Sequence, residues 1–169
     1  FNTDARTEGM GGTGAAVWWD DMPSAWANPA LMGYQRGLGY RDMHSKLAEG
    51  LADDIYLDAN ELTLAYAGIG LLYGHSPFET YLDMGEQTAT DEEGNDRGTF
   101  SSWMKSESWG LSLDGVRAAE ALLGKPEGTW TRYASLSGGW VWKDFEDHLA
   151  PDSIIQDTQG GGAANGKCE

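Results

Sequence analysis

The feature that most constrains this chain is a long alternation of side chains from Trp130 to Trp142. Apolar and aromatic residues occupy mostly the even positions, and small or hydroxyl-bearing residues occupy mostly the odd positions. A period of two over this length predicts a β-strand with one apolar face. The stretch from Trp130 to Trp140 would extend about 33 Å at roughly 3.3 Å per residue.

That length fits a strand that crosses a membrane. Tilted by about 40°, the strand would span about 25 Å, the height of the apolar band of an outer-membrane barrel. Trp130, Trp140 and Trp142 would then lie where such barrels carry an aromatic girdle. A long strand in a soluble sandwich is the alternative, although strands there typically have about 5–6 residues.

Further stretches with the same alternation predict an all-β chain. Glu61 to Gly74 carries apolar residues whose parity switches after Gly68, and we expect a bulge or bend at that glycine. Glu107 to Leu113 alternates cleanly, and Gly37 to Leu47 alternates weakly. Phe100 to Met104 is expected to extend another strand.

Much of the negative charge falls in the connections between the predicted strands. The chain has 27 Asp and Glu residues against 11 Lys and Arg, which gives a formal net charge of -16. This balance argues against a nucleic-acid partner, because phosphate backbones are bound by clustered Lys and Arg. The polar connections are expected at 48–60 and 86–96. Val116 to Leu123 predicts a short helix, with Gly124 as its C-cap.

No residue pattern predicts a catalytic or metal site, so we expect no enzyme activity and no cofactor. Gly9 to Gly14 matches a dinucleotide-binding glycine pattern, but the polar residues 1–8 do not supply the strand that this motif requires. The histidines are scattered, and a single cysteine, Cys168, excludes a disulfide framework. Asp91 to Asp96 is interpreted as a solvated turn, with a hard-cation site as the alternative.

The N-terminal residues resemble the opening of a group of bacterial outer-membrane barrels. A glycine-rich cluster, an acidic pair and an Asn-Pro-Ala sequence follow one another within residues 5–31. This compound pattern is similar to that of the FadL-like transporters of hydrophobic compounds and the PorV-like proteins of type IX secretion. The residues that carry it are Arg6, Gly9, Met10, Gly11, Gly12, Gly14, Asp20, Asp21, Asn28 and Pro29.

The resemblance implies an antiparallel transmembrane β-barrel of about fourteen strands in the bacterial outer membrane. It implies contact with the lipid bilayer and transport of hydrophobic small molecules across that membrane. A PorV-like barrel that binds secretion-system proteins or secreted cargo without transport is the second interpretation. A soluble, secreted β-sandwich is the third.

The resemblance also implies that the N-terminal segment folds into the barrel lumen as a plug. A segment rich in Gly and Ala can pack closely against the lumen walls. Asp20, Asp21 and Asn28 would bond polar groups of the barrel interior. Pro29 would fix the direction in which the chain leaves the plug and enters the first strand.

These predictions divide the chain into three regions. They are a plug-like segment at 1–34, barrel strands with polar loops at 35–150, and a flexible, glycine-rich end at 151–169. The sequence contains about four to six strands, fewer than the eight or more of a closed outer-membrane barrel. We therefore expect the N-terminal part of a longer barrel, with a complete small barrel as the alternative.

Overall fold

Antiparallel strands account for most of the chain in the computed structural model, which describes residues 9, 11, 25–50, 52, 54–90, 94–149 and 167–168. All of these strands belong to one sheet. The all-β, antiparallel class predicted from the alternation is therefore confirmed. No helix within the described ranges is long and apolar enough to cross a membrane.

The described chain begins with a short helical segment and continues as a succession of strands. A 3-10 helix at Pro29–Tyr34 leads directly into the first strand. The strands are β1 (Gly37–Lys46), β2 (Ile55–Tyr66), β3 (Ile69–Gly74), β4 (Thr80–Thr90), β5 (Asp96–Asp114), β6 (Ser137–His148) and the short β7 (Lys167–Cys168). Helix α1 (Gly115–Leu122) lies between β5 and β6.

Strands β3 and β4 share one position in the sheet, between β2 and β5. Strand β3 pairs with the second half of β2, β4 pairs with its first half, and both pair with β5. The residues from His75 to Glu79 separate the two strands. With β3 and β4 counted as one interrupted strand, the sheet is an up-and-down meander in chain order, with β7 at one edge.

Strand β5 is far longer than a typical strand of a soluble domain. Its 19 residues extend about 63 Å at roughly 3.3 Å per residue, whereas strands usually have about 5–6 residues. Residues 86–90 of β4 pair with β5 but not with β2. The far ends of β4 and β5 thus form a hairpin that extends past the neighbouring strand β2.

The parity switch in the 61–74 stretch marks a hairpin turn, so the prediction of one strand with a bulge or bend is wrong and the stretch contains two strands. Ala67 has a φ of 53° and Gly68 a φ of 84°. Two consecutive residues with positive φ define a type I′ turn, the tight connection preferred between antiparallel strands. Strand β2 ends at Tyr66 and β3 begins opposite it at Ile69, and the alternation restarts there.

The strand predicted from Trp130 begins instead at Ser137. The preceding residues are held by the Glu120 carboxylate, which accepts hydrogen bonds from the backbone N–H groups of Gly128, Trp130 and Thr131. Backbone donors bound to a carboxylate are not available to a strand ladder. Burial acts to raise the pKa of Glu120, but these hydrogen bonds favour the charged form and hold the pKa below its usual value.

The other predicted elements are confirmed with shifted bounds. The Gly37 to Leu47 stretch is β1, and the predicted helix is α1, displaced by one residue. The two stretches at 100–104 and 107–113 are parts of the single strand β5. The predicted connections at 48–60 and 86–96 are partly strand, because β2 starts at Ile55 and polar residues continue β4 to Thr90.

Candidate functional site

Large apolar side chains lie exposed on one face of the sheet, in rows that cross β1, β2, β3, β5 and β6. The pairing register aligns the middle row, which consists of Leu38, Leu64, Leu71, Leu111 and Trp140. The large apolar side chains of these rows are each between 43% and 75% exposed. We call this set the apolar band: Leu38, Tyr40, Leu64, Tyr66, Ile69, Leu71, Tyr73, Trp109, Leu111, Leu113, Trp140 and Trp142.

A contiguous apolar surface of this kind marks a contact with a membrane or another protein. Its three rows follow the strands at intervals of about 6.7 Å, so the two outer rows lie about 13 Å apart, about half the apolar height of about 25 Å in outer-membrane barrels. The connection from β5 to β6 carries further exposed apolar side chains. They lie at the end of the sheet where β2 turns into β3, which we call the turn end. These are Leu122, Leu123, Tyr133 and Leu136.

One edge of the apolar band is a row of aromatic side chains. The row contains four aromatic residues, Tyr40, Tyr73, Trp109 and Trp142, and Leu62 stands between Tyr40 and Tyr73. The rings of Trp109 and Trp142 stack with their centroids 4.2 Å apart. The next row on this face is polar, and the Tyr40 hydroxyl donates a hydrogen bond to Asn60 Oδ1 at 2.8 Å. An aromatic row between apolar and polar surface is typical of a membrane-interface girdle.

Two of the three tryptophans predicted for the girdle lie on the apolar band. Trp142 is in the aromatic row and Trp140 is in the middle row. Trp130 lies in the connection before β6, outside the strand. The other members of the aromatic row were not predicted, because the alignment between strands depends on a register that no single stretch of sequence specifies. That these side chains contact lipid stays a prediction.

The opposite face of the sheet is small and polar at the level of the apolar band. Its buried polar members are at most 6% exposed and include Glu61, Thr63, Ser108, Ser112 and Asp114. A soluble sheet buries its apolar face, whereas a membrane barrel turns its apolar face to lipid and its polar face to the lumen. At the level of the apolar band the exposed face is therefore apolar and the buried face polar, whereas beyond the band the buried face carries an apolar cluster of Met43, Leu57, Ala59 and Leu82.

Residues 25–34, which we call the inner segment, lie against this polar face. Met32 is fully buried and packs with Ala25 and Leu72. A Cβ atom on Gly139 would lie 2.6 Å from the Pro29 carbonyl carbon, so only glycine allows the segment to approach this closely. The Ser137 hydroxyl donates a hydrogen bond to the Ala30 carbonyl oxygen at 2.6 Å.

The inner segment contains the described part of the predicted plug motif. Asn28 caps the 3-10 helix, since its Oδ1 accepts a hydrogen bond from the Ala30 N–H at 3.1 Å, and Pro29 occupies the first turn. Gly9 and Gly11 are exposed, and Gly11 has a left-handed φ of 70°. The remaining motif residues, Arg6, Met10, Gly12, Gly14, Asp20 and Asp21, lie outside the described residues.

A buried ionic cluster holds the start of the inner segment. Glu61 Oε1 accepts a hydrogen bond from the Ala25 N–H at 3.2 Å and lies 3.6 Å from an Arg41 guanidinium nitrogen. Lys143 Nζ donates to the Trp26 carbonyl oxygen at 3.1 Å and lies 3.8 Å from the centre of the Trp26 ring. Sequence reasoning missed this cluster, although all three charged residues stand on strands at the parity opposite to the apolar side chains.

A mainly apolar cleft of about 250 Å³ lies beside the start of the inner segment. Its polar groups include Lys143 and Ser106, and the Ser106 hydroxyl is buried without a hydrogen-bond partner among the described residues. A cleft with apolar walls and a few polar groups is suited to a small hydrophobic ligand. The apolar lining consists of Trp26, Leu57, Leu82, Met104 and Phe145.

The packing of the inner segment can be tested with two adjacent glycines. We expect Gly139→Ala to destabilise the segment by about 1–3 kcal/mol, because the new methyl group meets backbone atoms that cannot move aside. Chymotryptic cleavage after Trp26 or Tyr34 should become faster. Gly138→Ala is the control, since a Cβ there has no atom within 4 Å. Equal cleavage rates in the two variants would contradict this packing.

Within the described ranges, no group of three or more His, Cys, Asp or Glu side chains could hold a metal ion. Comparison with known proteins gives no match to a family model, to a curated protein or to a solved structure. The functional assignment therefore depends on the geometry of the two faces of the sheet.

Proposed function

We propose that this chain forms part or all of an outer-membrane β-barrel that transports hydrophobic small molecules across the bacterial outer membrane. The observation that carries the proposal is the distribution of side chains over the sheet. An exposed apolar band with an aromatic edge lies on one face, and buried hydroxyls and charges lie behind it on the other face, whose apolar cluster lies beyond the level of the band. The resemblance of residues 5–31 to FadL-like and PorV-like barrels agrees with this interpretation.

The inner segment and the cleft beside it support transport. In the proposed barrel the polar face lines the lumen, so the inner segment would obstruct a path through it. Trp26 belongs both to this segment and to the lining of the cleft. A hydrophobic ligand in the cleft would therefore compete with the packing of Trp26 and favour displacement of the segment.

Reconstitution tests the membrane assignment. We expect the chain, extended at its C-terminus if its natural reading frame continues, to partition into detergent and to insert into liposomes. Folded protein should migrate differently on gels with and without boiling, as closed barrels do. Liposomes that contain the protein should take up a hydrophobic dye faster than empty liposomes. Recovery as a water-soluble monomer would contradict the proposal.

The second candidate is a PorV-like barrel that binds secreted cargo or secretion-system proteins. The hairpin formed by the ends of β4 and β5 favours it, because this hairpin projects beyond β2 and carries Glu86 and Asp96. If the protein is a platform without transport, deleting residues 86–96 should abolish partner capture, and liposomes that contain the wild-type chain should take up no more dye than empty liposomes. Dye uptake above that of empty liposomes, retained after the deletion, would assign transport.

A soluble β-sandwich is the least favoured interpretation. A sandwich packs two sheets through their apolar faces, whereas the described strands form one sheet whose apolar band is exposed. Tryptophan fluorescence that does not change on addition of lipid vesicles would restore this interpretation, because the band contains Trp109, Trp140 and Trp142.

A further inference from the structure

A cleft of about 230 Å³ at the turn end of the sheet concentrates basic side chains in an otherwise acidic chain. Arg36, Arg117 and Lys125 line it, together with Glu120 and Glu127. The whole chain has only 11 Lys and Arg residues against 27 Asp and Glu. The opposite end of the sheet carries the acidic hairpin of β4 and β5, so the two ends differ in charge.

This basic cleft adjoins the apolar band directly. Tyr66 is 75% exposed, belongs to the band and also lines the cleft. The position of α1 fixes the cleft beside the β2–β3 turn, because a Cβ on Gly68 would lie 2.9 Å from Arg117 Cβ. A molecule with an acidic head and apolar chains could therefore place its head in the cleft and its chains on the band.

Only one of the two glutamates pairs with the basic side chains, so a single carboxylate faces three positive charges. The Glu120 oxygens accept hydrogen bonds from the 128–131 backbone. The Glu127 carboxylate is shared between two arginines. Its Oε2 lies 2.6 Å from an Arg36 guanidinium nitrogen, and its Oε1 lies 3.6 Å from an Arg117 guanidinium nitrogen. Lys125 is exposed and forms no ion pair within the described part of the chain.

Arg117 adds a directional group to this cleft. One of its guanidinium nitrogens donates a hydrogen bond to the Tyr34 carbonyl oxygen at 2.8 Å, which fixes the side chain. Its Nε is buried and has no hydrogen-bond partner among the described residues. Guanidinium groups attract and bind phosphate, so a guanidinium held in place adds a positive charge at a defined position in the cleft.

We propose that this cleft binds the phosphate of an anionic glycerophospholipid, such as phosphatidylglycerol, whose acyl chains lie along the apolar band. The inference rests on the proposed membrane location and names a lipid ligand for it. Basic pockets next to membrane-spanning surfaces recognise such headgroups. The lipid would belong to the leaflet that meets the turn end of the sheet.

Lipid retention tests the site. The full-length protein is inserted in nanodiscs that contain equal amounts of phosphatidylglycerol and phosphatidylcholine, released with mild detergent and analysed by native mass spectrometry. We expect preferential retention of phosphatidylglycerol. Arg36→Gln and Lys125→Gln should each lower the preference about fivefold. Glu127→Gln should raise it, because the competing carboxylate is removed. Arg117 is left unchanged because it also supports the inner segment.

The control is Lys46→Gln, which removes the same charge at the opposite end of β1 and should leave the preference unchanged. Normal insertion without a preference for phosphatidylglycerol, or with a preference that the Arg36 and Lys125 variants do not lower, would overturn the lipid site and leave the membrane function intact. Displacement of the lipid by millimolar inorganic phosphate would also overturn it, because the cleft would then bind the free anion. Failure of the wild-type chain to insert would overturn both proposals.

Discussion

Replacing Leu111 with arginine is expected to weaken insertion into a bilayer by about 2–4 kcal/mol, the cost of a basic side chain at the midplane of an outer-membrane barrel. Leu111 lies in the middle row of the apolar band, paired with Leu71 on one side and Trp140 on the other. The middle row lies between the aromatic row and the row at the turn end, so it is the row of the band closest to the midplane of the bilayer. The measurement is urea-induced unfolding of protein folded in liposomes.

The control for this substitution is Gln87→Arg. Gln87 is also an exposed strand residue, but it lies in the part of β4 that pairs only with β5 and stands outside the apolar band. We expect Gln87→Arg to change the unfolding free energy by less than about 0.5 kcal/mol, as most surface substitutions do. If Leu111→Arg behaves in the same way, the apolar band does not contact lipid.

The sequence predicted the class of the fold because alternation is a local property. Each strand shows its two faces through a period of two, and Leu111 and Leu113 are assigned to one face without knowledge of any partner. Two stretches of β5 were recognised separately for the same reason. The two polar residues between them, Lys105 and Ser106, interrupt the apolar pattern without interrupting the strand.

The ends of strands could not be predicted in this way because distant groups determine them. Trp130 follows the alternation of β6, yet its backbone N–H is bound by Glu120 on α1. The parity switch near Gly68 was visible in the sequence, but a bulge and a type I′ turn both produce it. Only the pairing of Tyr66 with Ile69 distinguishes them.

The candidate site shows the same division between local and distant information. Trp140 and Trp142 were predicted as exposed aromatic residues because they alternate with small residues on one strand. The basic cleft and the ionic cluster were not predicted, because each joins residues that are far apart in the chain. Arg36 and Lys125 meet only after β2 and β3 turn and α1 packs on that turn.

Replacing Glu61 with alanine is expected to destabilise the folded protein by about 3–5 kcal/mol, the usual cost of removing one member of a buried ion pair. Glu61 is 4% exposed, and its loss leaves the guanidinium of Arg41 buried without this partner. The Ala25 N–H also loses its acceptor. We therefore expect the inner segment to separate from the sheet, which urea unfolding in detergent micelles and cleavage after Trp26 would both detect.

Asp58→Ala provides a matched comparison, because Asp58 lies on the same strand, on the opposite face, and pairs with His44. That pair is exposed, so its loss should cost no more than about 1 kcal/mol. Glu61→Gln separates charge from shape, since an amide oxygen can still accept from the Ala25 N–H. If Glu61→Ala and Asp58→Ala cost the same, burial does not strengthen the cluster, and the close packing of Met32 and Pro29 would have to hold the inner segment by itself.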